Sequence, residues 1–404
     1  MSSPTALCAT RSIDRTRVIL AGICALILTV GLARFAYTPL LPIMRDGAGL
    51  SDLAGGWLAT FNYMGYMAGA LLAATTNDLQ RKFLFYRAGL LIAVVSTAAM
   101  GFTDNLYLWV ALRFIAGVSS AGGLLIASGL VLNWLINHGY KGELGLHFAG
   151  LGAGIVVSGL AVSAMVGALT WDSQWIGLGL LGILFFLPAW FWLPAPVPVV
   201  AHATKTQAIQ TPLAPSSRWM WLFIAAYFCA GVGFVISATF IVAIVEQLPV
   251  FAGNGPWVWV VVGLAAAPAS FLWDRIAGVI GGIYALLMAY GLQILSILLP
   301  AVSADTFANL LSAALFGITF VGIVSLTLSI IGRHFPANPS KAMARLTLSY
   351  GVAQIAAPAM AGYIATISGS YRGALFIAAG TMAVGMLLLL AIMRQERREL
   401  AAVS

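Results

Sequence analysis

The sequence predicts an all-α membrane protein of twelve transmembrane helices in two six-helix bundles. Three observations carry this. Of 404 residues, 61% are hydrophobic and only 8% charged, against about 25% charged in a soluble domain. Apolar runs of about 20 residues, the length a helix needs to cross a bilayer, recur twelve times. A stretch rich in Pro, Ala, Thr and Ser, residues 194–218, separates the sixth run from the seventh and reads as a linker. It divides the chain into an N-terminal bundle, 1–193, and a C-terminal bundle with a short tail, 219–404.

The first span, 18–44, ends in GLARFAYTPLLP. Gly31, Arg34, Phe35, Thr38 and Pro42 recur along one helical face. Pro39 and Pro42 each remove a backbone donor and leave carbonyls of the preceding turn exposed. A membrane tolerates such carbonyls only where protein or water satisfies them. The segment therefore reads as a cavity-lining helix with a local kink, and Pro39 as a gating position. Arg34 is then a substrate-binding or gating residue, or else an arginine pinned by carbonyls at a helix contact. A central arginine costs roughly 2.5–3.5 kcal/mol to insert, so one of these must offset it.

The second span, 53–76, presents Asn62, Tyr63 and Tyr66 as candidate ligand-orienting groups. After 83–101 comes the fourth span, 106–132, with Arg113, a second binding candidate or a packing arginine. The fifth, 144–169, carries His147, whose ordinary pKa of about 6.5 suits a coupling proton and equally a packed, neutral ring. The sixth is 175–193. The second half follows as 219–245, 257–273, 279–299, 307–332, 342–367 and 373–393. It offers Tyr227, Thr239, Gln293, Thr319, Tyr350 and Gln354, each a ligand contact or a helix-contact hydrogen bond. Gln354 stands out because Pro358 opens the backbone one turn on.

Lysine and arginine set the orientation. With a cytoplasmic N-terminus, sixteen basic residues fall on that side and two, Arg45 and Arg372, on the other. This is a strong positive-inside bias, and it places both termini and the linker in the cytoplasm of a bacterial inner membrane. A cleaved signal peptide is the rival reading of the N-terminus. The net charge of +8 is spread thinly over loops, which excludes a nucleic-acid surface. Cys8, Cys24 and Cys229 form no spaced set, so neither a disulfide nor a metal site is expected, and no cofactor.

Local motifs resemble the major facilitator superfamily. The loop AATTNDLQRK, 73–82, is similar to that family's G-x-L-x-D-R-x-G-R-R loop, with Arg81 and Lys82 matching and Asn77 standing where the family has Asp. The resemblance implies a gating role for Arg81 and Lys82; the departures at Ala73, Asn77, Asp78 and Gln80 put it in doubt. Arg113, Gly117 and Ala121 resemble R-x-x-x-G-x-x-x-A/G, a spacing that puts all three near one face. Gly150, Gly154 and Gly159 resemble the antiporter pattern G-x-x-x-G-P-x-x-G-G, but Ile155 replaces its Pro. GLARFAYTPLLP, NYMGYMAGA, HFAGLGAGI and YFCAGVGFVISATF together resemble the YbfB/YjiJ-type branch. The resemblance implies a secondary transporter working by alternating access as a monomer, with proton coupling an open option.

No acid lies in mid-span: Asp46, Asp52, Asp104, Asp172, Glu246 and Asp305 sit at the far ends, and the other six at cytoplasmic ends or tails. Arginine cannot take a proton step. Two membrane arginines without acids point to a small organic anion as cargo. The alternative is an exporter of hydrophobic or cationic compounds, supported by the glycines of span five and the many aromatics. A membrane enzyme or receptor is a third reading, for which no nucleotide loop, metal cluster or Ser/His pair is found.

Overall fold

A computed structural model describes residues 4–141, 144–196, 216–335 and 339–403. The central part of the expected linker, 197–215, lies outside them. Among the described residues the chain is helical throughout, without strands. Helix α1 runs as Pro4–Leu26, a π-helical stretch Ile27–Phe35, and Tyr37–Ala48. α2 is Asp52–Thr75, α3 Leu79–Phe102, α4 Leu106–Asn137, α5 Gly145–Met165 and α6 Trp171–Trp192. α7 is Ser217–Glu246, α9 Gly282–Val302 and α10 Thr306–His334. α11 is Pro339–Ser368 and α12 Arg372–Val403. α8 is broken into Gly255–Ala266 and Ala269–Ile280, bent by 44°.

Among the described residues ten helices are long and apolar enough to cross a membrane, and α8 makes an eleventh if its two parts count as one span. The remaining expected span is α2, whose 24 residues extend about 36 Å at 1.5 Å per residue. Its hydropathy is held down by Asn62, Tyr63, Tyr66 and its glycines. The eighth span needs correction: it does not stop at 273. Pro268 cannot donate to the Leu264 carbonyl, so the helix bends there and resumes. Asp274 and Arg275, expected just beyond the span's cytoplasmic end, lie within its second helical part.

Helix starts follow local chemistry. Asp78 caps α3 by accepting from Gln80 N at 2.8 Å. Asn105 caps α4 through Tyr107 N and Leu108 N, and Asp305 caps α10 through Ala308 N. Each satisfies an amide that the first turn leaves without a partner.

The chain forms two compact units, 1–49 with 61–200, and 50–60 with 201–404. In the first, glycines let backbones meet. A Cβ on Gly31 of α1 would lie 2.5 Å from the Gly154 Cα of α5, and one on Gly117 of α4 would lie 2.0 Å from the Asn62 carbonyl of α2. Gly117 of the fourth span and Gly150 and Gly154 of the fifth are thus contact points between helices. The second unit repeats the device: Gly317 of α10 abuts the Val262 carbonyl of α8, and Gly231 of α7 abuts Tyr350 of α11. Here too belong the first turns of α2. Thr60 Oγ1 donates to the Ile355 carbonyl at 2.8 Å, and Tyr371 Oη donates to Asp52 Oδ1 at 2.6 Å.

Replacing Gly154 by valine is expected to lower the thermal unfolding midpoint measurably, because overpacking a close helix contact costs roughly 1–3 kcal/mol. Gly145→Ala, where an added Cβ meets nothing within 4 Å, should leave the midpoint unchanged in the same fluorescence melt.

Candidate functional site

The site grows out of the π-helical stretch of α1. There Ala36 N bonds to Gly31 O at 2.9 Å, a five-residue step. In that register the Arg34 carbonyl would take its donor from residue 39, which is proline and has none. Arg113 of α4 supplies one instead. Its Nη2 donates to Arg34 O at 3.1 Å and its Nη1 to Ala33 O at 2.9 Å. The guanidinium also lies over the Tyr37 ring, 4.5 Å from its centre. Asn62 Nδ2 of α2 donates to the Arg113 carbonyl at 2.8 Å, so α1, α2 and α4 are tied at one level. The kink expected at Pro39 takes this form: a widened turn whose carbonyls are satisfied by protein.

α4 is widened as well, at Gly122–Ile126. The two π stretches abut. Ser120 Oγ donates to Thr29 O at 2.7 Å, and a Cβ on Gly123 would collide with Thr29 Oγ1. Thr29 itself bonds back to Ala25 O at 2.8 Å, a side-chain bond that competes with the helical ladder. π turns inside helices frequently mark functional positions.

Arg34 is the other guanidinium, and its surroundings differ. It is 6% exposed. Its Cζ lies 4.5 Å from the ring centre of Tyr63, 4.4 Å from that of Tyr66 and 5.4 Å from that of Phe35. Tyr63 and Tyr66 are three residues apart on α2, which stacks their side chains on one face. The rings' negative faces stabilise the cation. Its Nε is buried without a hydrogen bond, and no carboxylate pairs with it among the described residues. Arg34 and Arg113 are the only charged side chains that are buried among the described residues.

The remaining expected residues are distributed as follows. His147 is buried against Gly22 of α1, with Nε2 2.8 Å from Ser128 Oγ of α4. The Ser128 hydroxyl also reaches Leu124 O, and the Nδ1 of His147 has no hydrogen-bond partner. Arg81 is exposed and lies 3.7 Å from Asp78 of its own turn. Lys82 is half-buried beside it. Gln80 Nε2 reaches the Pro196 carbonyl after α6 at 2.6 Å. In the second unit Tyr227 stacks on Tyr350 with centroids 4.5 Å apart, and Tyr350 in turn on Phe234 at 5.8 Å. Gln354 is buried one turn beyond Tyr350. Gln293 and Thr319 hydrogen-bond to each other. The residues that sequence reasoning missed are Tyr37, Ser120, Thr29 and Ser128; only their helical spacing from the charged residues could have signalled them.

This architecture defines a multi-pass membrane protein of the transporter class. Residues 26–390 match the family model described as "Uncharacterised MFS-type transporter YbfB", and the chain belongs to that family of major facilitator transporters. A relative in Cupriavidus necator, "Probable sulfoacetate transporter SauU", is 24% identical over 92% of this chain and 93% of its own length. The "Niacin transporter NiaP" of Acinetobacter baylyi is 31% identical over 28% of this chain and 24% of its own. Among solved structures, the nucleoside transporter NupG superposes with a TM-score of 0.71 at 15% identity, covering 94% of this chain and 99% of that one. A bacterial homologue of the lysosomal transporter Spinster, in an inward-facing and occupied conformation, gives 0.65 at 15% identity, covering 98% of both. Family and neighbours are transporters, which points away from an enzyme.

Arg113→Gln is expected to destabilise the protein by about 1.5–3 kcal/mol, the range for a hydrogen bond to a charged group. Adding Pro39→Ala restores an amide facing the Arg34 carbonyl. The double variant should therefore melt above Arg113→Gln alone, whereas simple additivity of the two losses would contradict the carbonyl account.

Proposed function

We propose that this chain is a secondary transporter of a small organic anion and that Arg34 receives the anion. The single observation that supports the reading most is the state of Arg34: a buried, permanently charged group with aromatic faces but no carboxylate. A guanidinium taken out of water keeps strong attraction for an anion that can accept its N–H groups. The ring centres of Tyr63 and Tyr66 lie within 4.5 Å of the cation and bring no negative charge to it, so its N–H groups suit a planar carboxylate or a sulfonate. Arg113 has another part, since its terminal nitrogens already serve α1 carbonyls.

The cargoes for which two relatives are named agree with this class, because sulfoacetate and niacin are both organic anions at neutral pH. A cationic cargo has less support: among the described residues no Asp or Glu is buried as a whole, and Glu246, which has one buried oxygen, stands at the end of α7 and accepts from Gly253 N at 2.8 Å. The distribution of basic residues supports a bacterial inner-membrane location with both termini cytoplasmic.

In proteoliposomes, Arg34→Gln should abolish uptake of an organic acid that the wild type carries, with expression and elution profile kept. Arg34→Lys should retain some uptake with a raised KM, because the ammonium keeps the charge but not the planar fork. Unchanged uptake by Arg34→Gln would overturn the role assigned to Arg34.

A further inference from the structure

We propose that the groove between α7 and α11, at the basic end of the second unit, binds an anionic phospholipid. The groove holds about 640 Å³, and its lining includes Ser216, Ser217, Ile224, Arg345, Leu348, Ser349 and Val352. α7 and α11 both start at the end of the unit where α10 and α12 finish, the end that carries Arg218, Arg333, Arg345, Arg394 and Arg397. From Ser216 to Ile224 and from Arg345 to Val352 the walls descend about 10–12 Å along the helices. Polarity falls along that path, from Arg345 and two serines to Ile224, Leu348 and Val352. This is the polarity profile of a lipid, head to chain, and not of a water-soluble solute.

The polar end is also cationic and unsatisfied. Arg345 is exposed, and among the described residues no carboxylate pairs with it or with Arg218. The nearby Glu396 is engaged by Trp219 Nε1 at 2.8 Å and lies 3.7 Å from His334 Nε2. The serines are occupied as well. Ser216 Oγ accepts from Gln395 Nε2, and Ser349 Oγ donates to the Ile224 carbonyl, each at 2.8 Å. Of these unpaired arginines Arg345 is the one that lines the groove, and the amino-terminal ends of two helices add to its charge. Basic pockets between helices on the cytoplasmic side bind acidic headgroups. Trp221, 70% exposed on the rim, belongs to the residue type that anchors at the headgroup level.

The test uses purified full-length protein in mixed micelles, with phosphatidylglycerol and phosphatidylcholine titrated separately and bound lipid counted by native mass spectrometry. Wild type should bind phosphatidylglycerol at least about five-fold more tightly, the scale of one arginine near a charged surface. Arg345→Gln should remove that preference. Val352→Trp, filling the deep end at an exposed position, should abolish the bound phosphatidylglycerol with Arg345 intact. Arg333→Gln, a basic-end arginine outside the groove, should change nothing. Equal binding of the two lipids, or an Arg345→Gln protein indistinguishable from wild type, would overturn the proposal. So would displacement of phosphatidylglycerol by millimolar glycerol 3-phosphate, which would make the groove a site for soluble anions.

Discussion

The grip of Arg113 on two carbonyls of α1 is the interaction on which the N-terminal unit's interior depends. A proline at position 39 and a widened turn before it would leave backbone oxygens without donors in a medium that cannot supply any. Arg113 supplies the donors. It spans from α4 to α1, and Asn62 holds its own carbonyl from α2. The carbonyls in turn stabilise a buried charge that would be costly alone. Two otherwise unfavourable features, a freed backbone and a desolvated cation, thus satisfy each other.

That pairing explains why Arg34 is available. With Arg113 bound to α1, the second guanidinium of the interior has aromatic rings beside it and no acid. The close approach of α1 to α5 at Gly31 and Gly154 fixes the face of α1 three residues before Arg34. Tyr63 and Tyr66 come from α2, whose position is set by the Gly117 contact with the Asn62 backbone. The glycines hold the helices near enough for both guanidiniums to reach their partners. The second unit uses the same glycine contacts between its second and fourth and its first and fifth helices, but its buried polar groups are neutral.

Much of this was legible in the residues. Two arginines inside apolar runs, the spacing of Gly117 and Ala121 after Arg113, and Pro39 after Arg34 mark the important helices, because each breaks a pattern that lipid enforces. The two arginines' separate parts were not legible. Which guanidinium meets carbonyls depends on the π-helical register of α1, and no residue pattern fixes a five-residue step. Nor does spacing show that Ser128 receives His147, since contacts across helices depend on rotation about their axes. The bend of α8 follows from Pro268, and the span's helical continuation was hidden by Asp274 and Arg275, two adjacent charges that mark the end of an apolar run but lie on a helix.

The central claim is that the protein recognises negative charge through a buried guanidinium. A thermal-shift series on the purified wild type, run in parallel over small carboxylates and sulfonates and over cationic dyes, tests it most directly. A ligand present at a hundred times its Kd stabilises by about 2.7 kcal/mol, well within what such a melt resolves. The account predicts that organic anions raise the unfolding midpoint with concentration and that cationic dyes do not. Stabilisation by the dyes alone would contradict it.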